Sequence, residues 1–181
     1  MPEEENKDKW AQFIAGDKEA YGWIYRTNIQ DLYRYGLRFT ANTELIKDSV
    51  QEVFTAIYRN RKRLPVPDNV SVYLFVSLKN KLIRMMQRES FYKDDDLESV
   101  PFSLEPTVEE QYIEQETQSL RQKQLKEILS LLSPRQQEII YYRYIKELSL
   151  DEICSIMSLN YQSAQNLIQR SLKKIREAFP H

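Results

Sequence analysis

The sequence SLDEICSIMSLNYQSAQNLIQRSLKKIR, residues 149–176, predicts two helices joined by a three-residue turn. Ser149 can cap the first helix, and Glu152, three residues later, can bond back to the cap. Residues 158–160 form the predicted turn, in which Asn160 can cap the second helix. The pattern therefore indicates a helix-turn-helix, an arrangement that many proteins use to read duplex DNA.

Apolar and polar residues separate on these helices at 100° per residue. The side chains predicted to face inward are Leu150, Ile153, Ile156, Met157, Ala164, Leu167, Ile168, Leu172, Ile175 and Phe179. The predicted contacts with duplex DNA lie on the polar side of the second helix, at Gln162, Ser163, Gln165, Asn166, Gln169, Arg170 and Lys173. Amides can bond to adenine, arginine to guanine or phosphate, and lysine to phosphate. An ordinary solvated helix face is the alternative, which the capped partner helix and the scarcity of acids disfavour.

The composition predicts a soluble, all-α protein. Hydrophobic residues make up 41% of the 181, with only three glycines and scarcely any alternating β-branched segments. The first nine residues, MPEEENKDK, are charged, so we predict no signal peptide, and no apolar run is long enough for membrane insertion. We therefore expect a cytoplasmic protein.

A single cysteine and a single histidine argue against an enzyme. Cys154 lies within the first helix of the helix-turn-helix, where we predict a buried small apolar group, and His181 is the last residue. The sequence has no glycine-rich phosphate loop and no set of residues suited to a metal site. We predict neither catalysis nor a cofactor.

Charge is strongly segregated along the chain, although the net charge is only −1. Residues 59–88 hold eight basic residues and one acid, a net charge of +7. Residues 93–120 hold nine acids and one lysine, a net charge of −8, and from residue 161 onward four basic residues face one acid, a net charge of +3. Two basic segments therefore flank an acidic one.

The acidic segment also contains Pro101 and Pro106, which interrupt regular structure. We predict two small helical domains, residues 1–89 and 112–181, joined by an acidic linker over residues 90–111. An acidic segment that serves only solubility is the alternative.

Four helices are predicted in the first domain, near Trp10–Ile14, Asp17–Phe39, Thr43–Asn60 and Ser71–Arg88. Their inward-facing residues include Ile46, Val50, Val53, Phe54 and Ile57 in the third helix, and Leu74, Leu78, Leu82, Met85 and Met86 in the fourth. Between these two helices lies the sequence NRKRLPVPDNVS, residues 60–71, which we call the basic loop. Basic and aromatic residues suit single-stranded DNA, and the predicted contacts are Arg61, Lys62, Arg63, Tyr73, Asn80 and Arg84. A plain surface role is the alternative for each of them.

Four further segments complete the pattern. They are GDKEAY at residues 16–21, LYRY at 32–35, DSVQEVF at 48–54 and LLSPRQ at 131–136. Together with the helix-turn-helix, they resemble the extracytoplasmic-function class of bacterial RNA polymerase sigma factors. The resemblance implies two helical domains without a separate central domain, in a subunit that directs core RNA polymerase to promoter DNA.

The resemblance also implies a role for each group of residues. Asp48, Gln51 and Glu52 would face the clamp helices of the polymerase large subunit. The basic loop and its neighbours would bind the melted promoter element, the second helix of the helix-turn-helix would read upstream duplex DNA, and the linker would follow the RNA path. Tyr73 stands where the family often has tryptophan, and Ser158 where it often has glycine; QNL at 165–167 replaces frequent basic and hydroxyl residues.

The sequence thus predicts an alternative sigma factor that is monomeric and binds core RNA polymerase and promoter DNA. An anti-sigma factor is a further candidate partner. The first alternative is a helix-turn-helix regulator that binds an operator unaided, usually as a dimer. The second is a helical adaptor whose charged faces bind only proteins.

Overall fold

Residues 3–89, 100–105 and 126–178 are described by a computed structural model, and these residues form helices and connecting turns without a β-strand. The chain divides into two compact units, Met1–Lys93 and Asp94–His181. Within the described segments, no helix has the length and apolar character needed to cross a membrane. The predicted all-α fold class is confirmed.

Residues 3–89, the described part of the first unit, form four α-helices: α1 (Glu3–Ile14), α2 (Lys18–Gly36), α3 (Thr43–Asn60) and α4 (Val70–Glu89). A 3-10 turn over Arg61–Arg63 follows α3. The predicted number and order of helices are confirmed, but two boundaries were wrong. The first helix begins at Glu3, well before Trp10. The polar EEENKD segment is helical, but it has no apolar period from which a helix could be predicted. The second ends at Gly36 rather than Phe39, because the backbone N–H of Phe39 turns back to the Gly36 carbonyl at 3.0 Å.

Short polar side chains fix where three of these helices begin. The carboxylate of Asp17 accepts a hydrogen bond at 2.8 Å from the first turn of α2. Asn42 does the same for α3 at 3.1 Å, and Asn69 for α4 at 2.9 Å. Each side chain satisfies a backbone N–H that has no partner within its helix, so the helix starts there.

The core of the first unit lies where the apolar stripes meet. All five predicted inward-facing residues of α3 are buried, as are Leu74, Leu78 and Leu82 of α4. Met85 and Met86 are only half-buried, which corrects the prediction. They lie near the carboxyl end of α4, where the helical period continues but the neighbouring helices cover the side chains incompletely.

Gly36 of α2 lies directly against Ile46 of α3. A Cβ atom on Gly36 would lie 2.6 Å from Cγ2 and 3.2 Å from Cγ1 of Ile46, which is fully buried. By contrast, a Cβ atom on Gly22, within the same helix, would meet only the guanidinium end of Arg26 at 3.1 Å. Of these two glycines, Gly36 is therefore the one whose missing side chain leaves room for a buried residue of α3.

We expect Gly36→Ala to lower the free energy of unfolding by about 1–3 kcal/mol, because the buried Ile46 has no space to withdraw. The matched control Gly22→Ala should raise it by about 0.5–1 kcal/mol, since alanine is the better helix former and Arg26 can move aside. Urea denaturation of both variants and the parent measures the difference. A Gly36→Ala variant as stable as the parent would contradict the close approach.

In its described residues, the second unit contains a helical segment over residues 126–131, which we call α5, followed by α6 (Pro134–Ile140), α7 (Leu150–Met157) and α8 (Tyr161–Ala178). A π-helical turn over Tyr141–Ile145 extends α6. Helices α7 and α8 are the two helices of the predicted helix-turn-helix, and residues 158–160 lie between them. The predicted helix-turn-helix is therefore confirmed.

Local hydrogen bonds define the helix-turn-helix. Ser149 and Glu152 form the predicted capping box at the start of α7. Ser158 ends α7 in the left-handed conformation, with a φ of 53°. The side chain of Asn160 then accepts from the Ser163 N–H at 2.8 Å and caps α8. These bonds fix the turn through side chains that the sequence already displayed.

Burial within the helix-turn-helix is more graded than the periodicity predicts. Ile153, Ile156, Met157, Ala164 and Leu167 are buried, whereas Leu150, Ile168, Leu172 and Ile175 are half-buried. Phe179 lies outside the described residues. Ser171 is fully buried, and its hydroxyl donates to the Leu167 carbonyl at 2.7 Å, so the buried hydroxyl has an acceptor. Cys154 is half-buried rather than buried, because it lies at the margin of the inward face.

Residues 100–105 lie within the predicted linker but pack into the second unit. Phe102 is 3% exposed, and its ring centroid lies 5.6 Å from that of Tyr141 and 6.4 Å from that of Tyr142. The Leu104 N–H donates to the Gln137 side chain at 3.0 Å. This part of the predicted linker is therefore more than a spacer. Residues 90–99 and 106–125, which hold the rest of the predicted linker, lie outside the described residues.

Candidate functional site

The predicted duplex-reading residues of α8 lie on one side of the helix. Six of the seven are exposed and Ser163 is half-buried. The Gln162 amide donates to the side-chain oxygen of Asn166 at 3.0 Å, so these two present a joined polar surface. The Lys173 ammonium lies 3.7 Å from the Glu177 carboxylate, and both side chains remain largely exposed. We call this surface the duplex face.

Lys174 shows that the basic residues of α8 do not all point the same way. Its ammonium contacts the side-chain oxygen of Gln136 at 3.1 Å and the Leu131 carbonyl at 3.5 Å. Lys174 thus ties α8 to the preceding helices of the second unit. The duplex face draws its positive charge from other side chains, including Arg170 and Lys173.

A groove of about 390 Å³ separates α3 from α4 in the first unit. Its lining residues are Glu52, Val53, Ala56, Ile57, Asn60, Leu64, Tyr73, Ser77, Asn80, Lys81 and Arg84. Three of the predicted contacts with melted DNA, Tyr73, Asn80 and Arg84, therefore share this groove. We call it the strand groove. It combines buried aliphatic side chains with an aromatic ring, an amide and cations.

The other three predicted contacts, Arg61, Lys62 and Arg63, form the 3-10 turn beside the strand groove and do not line it. Lys62 and Arg63 are exposed, whereas Arg61 is half-buried. The Arg61 guanidinium donates to the Tyr58 carbonyl at 3.2 Å and lies 4.9 Å from the centre of the Tyr58 ring. Arg61 is therefore engaged within the first unit, and Lys62 and Arg63 are the better candidates for phosphate contacts.

Asp48, Gln51 and Glu52 share one exposed side of α3, as their spacing predicts. They line a second groove of about 590 Å³, which we call the α3 face. Thr55 and Arg59 continue this surface along the helix. The α3 face carries polar and acidic groups without a large apolar side chain among its lining residues.

An ion pair connects the α3 face to the strand groove, and sequence reasoning missed it. Glu52 lines both surfaces, and its carboxylate pairs with the Lys81 ammonium on α4. The Lys81 side chain is 25% exposed and that of Glu52 is 56% exposed. The two residues stand 29 positions apart, so nothing in the local pattern signals the contact.

Cys154 has the environment of an unreactive thiol. Burial raises the pKa of this thiol above its ordinary value, and the nearby Asp151 charge raises it further. A raised pKa keeps the thiol protonated at neutral pH, and the protonated form is a poor nucleophile. The part of the chain that the structure describes contains no cluster of side chains able to hold a metal ion.

The two units define a class of protein: a two-domain helical protein in which the second domain carries a helix-turn-helix. Residues 24–92 match the family described as Sigma-70 region 2, and residues 122–175 match Sigma-70, region 4. The RNA polymerase sigma factor SigV of Bacillus subtilis (strain 168) is 24% identical over 147 residues, which cover 81% of this chain and 83% of SigV.

Solved structures of other proteins share the fold. CnrH, in complex with the cytosolic domain of CnrY, superposes with a TM-score of 0.61 at 17% identity over 96% of each chain. The sigma factor RpoE from Bartonella quintana, in complex with the anti-sigma factor NepR, gives a TM-score of 0.59 at 16% identity, covering 87% of this chain and 94% of RpoE. The chain belongs to the sigma-70 family, with the two-region organisation of its extracytoplasmic-function class.

Proposed function

We propose that this protein is an alternative sigma factor that binds core RNA polymerase and directs it to a particular set of promoters. The observation that carries the proposal is the order of the two family matches: region 2 falls on the unit with the strand groove, and region 4 on the unit with the duplex face. In this proposal the α3 face binds the polymerase and the strand groove receives the melted promoter strand. The duplex face reads DNA farther upstream.

The chemistry of the duplex face suits a major groove. The side chains of Gln165, Asn166 and Gln169 are exposed amides, which can bond to adenine through both donor and acceptor atoms. Arg170 can bond to guanine or hold a phosphate, and Lys173 can neutralise a phosphate. The helix is fixed from behind by Lys174, so the duplex face keeps its orientation within the second unit.

The chemistry of the strand groove suits unpaired bases. Tyr73 offers a ring on which a base can stack, and Asn80 offers an amide for a base edge. Arg84, Lys62 and Arg63 can neutralise the backbone of the strand. A duplex would leave the aliphatic wall of the groove unused, whereas an unstacked base can enter it.

The partners that we propose are core RNA polymerase, promoter DNA and an anti-sigma factor. Both structural relatives were solved with a protein partner: the cytosolic domain of CnrY for CnrH, and the anti-sigma factor NepR for RpoE. We propose that the chain acts as one copy per polymerase in the cytoplasm, without a catalytic activity or a cofactor of its own.

Transcription of total genomic DNA by core polymerase, with and without this protein, tests the proposal. New transcripts should appear only when the protein is present, and their start sites should share two short upstream motifs. Identical transcripts in both reactions would contradict the proposed function.

The alternative is a stand-alone helix-turn-helix regulator, which the capped α7 and the exposed duplex face of α8 favour when taken by themselves. Such a regulator usually dimerises to read two half-sites. Sedimentation of the protein with operator-length DNA separates the two functions, because only a regulator should form a specific dimeric complex without polymerase.

We expect Gln169→Ala and Arg170→Ala to weaken recognition of upstream duplex DNA while the protein stays folded, because both side chains are exposed on the duplex face. A lost base contact costs about 1–3 kcal/mol and relaxes specificity at one position. A lost phosphate contact instead lowers the salt slope by about one and weakens binding to all sequences alike. A salt titration of holoenzyme binding distinguishes these two outcomes.

Lys174→Ala is the matched control for these variants. It removes one positive charge from the same helix, but that ammonium contacts Gln136 and Leu131 instead of facing outward with the duplex face. Its DNA affinity and salt slope should stay close to those of the parent. If Gln169→Ala and Arg170→Ala also bind like the parent, the duplex face is not the reader.

A further inference from the structure

Helix α1 precedes the segment that matches the family, which begins at residue 24, yet it contacts the basic loop. Trp10 of α1 is fully buried, and its indole N–H donates to the Pro65 carbonyl at 3.0 Å. A buried indole N–H needs an acceptor, so the bond fixes the position of this carbonyl relative to α1. Pro65 lies in the middle of the basic loop.

The same indole contacts the residue that follows the basic loop by two positions. The ring centroids of Trp10 and Tyr73 lie 5.2 Å apart at an interplanar angle of 70°, an edge-to-face arrangement. Tyr73 is half-buried and lines the strand groove. One side chain therefore touches both the centre of the basic loop and the aromatic residue of the strand groove.

One turn later, Phe13 extends this contact toward the start of the basic loop. Its ring stacks on that of Tyr58 with centroids 6.4 Å apart, and the Arg61 guanidinium lies over the Tyr58 ring. Helix α1 thus contacts Tyr58, two residues before the loop, through Phe13, and contacts the centre of the loop and Tyr73 beyond its end through Trp10.

Pro65 and Pro67 reduce the number of backbone donors in the basic loop. Neither proline has a backbone N–H, so two positions in this part of the loop cannot donate a backbone hydrogen bond. The backbone carbonyl of Pro65 instead accepts a bond from a different helix. That bond limits the positions that the neighbouring cations, Lys62 and Arg63, can take.

We propose that Trp10 is a positioning residue for the binding of the melted promoter strand. By holding Pro65 and Tyr73 together, it sets the distance between the phosphate-binding turn at Arg61–Arg63 and the stacking ring in the strand groove. Trp10 is itself buried and does not touch DNA. This inference rests on the proposed function.

The test compares Trp10→Phe with Trp23→Phe. Phenylalanine at position 10 keeps an aromatic ring but removes the N–H that Pro65 accepts, whereas Trp23 is half-buried in α2 and serves as the matched control. The holoenzyme is assembled on a promoter found by transcript sequencing, and permanganate reactivity measures the rate of opening. Trp10→Phe should slow opening roughly three- to tenfold, the range expected for one lost hydrogen bond. Trp23→Phe should open promoters like the parent.

A role that is merely structural would not depend on the loop cations, so the same pair is compared in a Lys62→Ala, Arg63→Ala background. If Trp10 acts by positioning these cations, replacing Trp10 should slow promoter opening much less once the cations are absent, because the two effects are coupled. Affinity for core polymerase and thermal melting are measured for each variant, and opening is assayed where circular dichroism shows the protein folded. Benzothienylalanine at position 10, which replaces the N–H by sulfur, supplies the same test if Trp10→Phe does not fold.

Opening at the parental rate by folded Trp10→Phe would overturn the inference. Equal slowing with and without Lys62 and Arg63 would also overturn it, because Trp10 would then act on stability alone. If the parent protein and core polymerase open no promoter at all, the proposed function itself fails, and the inference fails with it. Slowing that is specific to Trp10 and largely lost in the double-alanine background supports the inference.

Discussion

Reversing the charges of Asp48 and Glu52 to lysine is expected to reduce assembly with core RNA polymerase by on the order of a hundredfold or more. Both carboxylates lie on the α3 face, which is exposed in the free protein. In the proposed complex they meet a complementary basic surface. Reversal brings like charges together where water is excluded, which costs several kcal/mol. Titration of a fluorescently labelled variant with core polymerase measures the loss of affinity.

The matched control is the double variant Glu4→Lys, Asp8→Lys. These two exposed acids also stand four residues apart on one helix, so the control makes the same change in charge on α1. It should bind core polymerase like the parent. If it loses affinity equally, the effect comes from total charge, and if neither variant loses affinity, the α3 face is not the polymerase interface.

Of the two single variants, Asp48→Lys changes the α3 face without changing a residue that lines the strand groove. Glu52→Lys also places a second ammonium beside Lys81, which disturbs the strand groove as well as the α3 face. We therefore expect Asp48→Lys to affect polymerase affinity chiefly, and Glu52→Lys to affect both affinity and promoter opening.

We expect this protein to open promoters only when core polymerase is present. The strand groove and the duplex face lie in different units, and binding of both units to one scaffold raises the effective concentration of the second surface at the promoter. The acidic segment 93–120, with its net charge of −8, can also compete with DNA phosphates for the basic segments. Footprinting and permanganate reactivity are measured with the protein alone, with core alone and with both. Only the third reaction should show melted bases.

A charge variant separates the two reasons for this dependence. Replacing Asp94, Asp95 and Asp96 by asparagine removes three of the negative charges from the acidic segment. Weak DNA binding by the free protein should then strengthen, while melting should still require core polymerase. Specific protection of a promoter by the parent protein alone, unchanged when core is added, would favour the stand-alone regulator.

Helix identity and capping could be read from the sequence because they depend on local interactions. Ser149, Glu152 and Asn160 bond within three residues of their own positions, and the apolar stripe of α3 repeats within one helix. The start of α1 could not be read, because the segment before Trp10 has no apolar period. Phe102 was missed for a related reason: a lone aromatic residue between prolines carries no period, and its burial depends on Tyr141 and Tyr142 far along the chain.

The surface positions of the candidate residues followed from the same helical periods, so the sequence placed Asp48, Gln51 and Glu52 together. Contacts between elements distant in sequence could not be predicted in this way. The pair of Glu52 with Lys81, and the bond from the Trp10 indole to Pro65, depend on how the helices pack. The resemblance to sigma factors supplied the polymerase hypothesis, which periodicity and charge alone would not have named.

The ion pair between Glu52 and Lys81 has a consequence for how such a protein can diverge. A substitution at position 52 that suits an altered polymerase surface leaves the ammonium at position 81 without its carboxylate, and this ammonium borders the strand groove. A substitution at position 81 that suits a different promoter likewise changes the carboxylate on the α3 face. Under the roles proposed for the α3 face and the strand groove, substitutions that suit new promoters and substitutions that suit new polymerases both involve these two positions, and a first change there restricts the second.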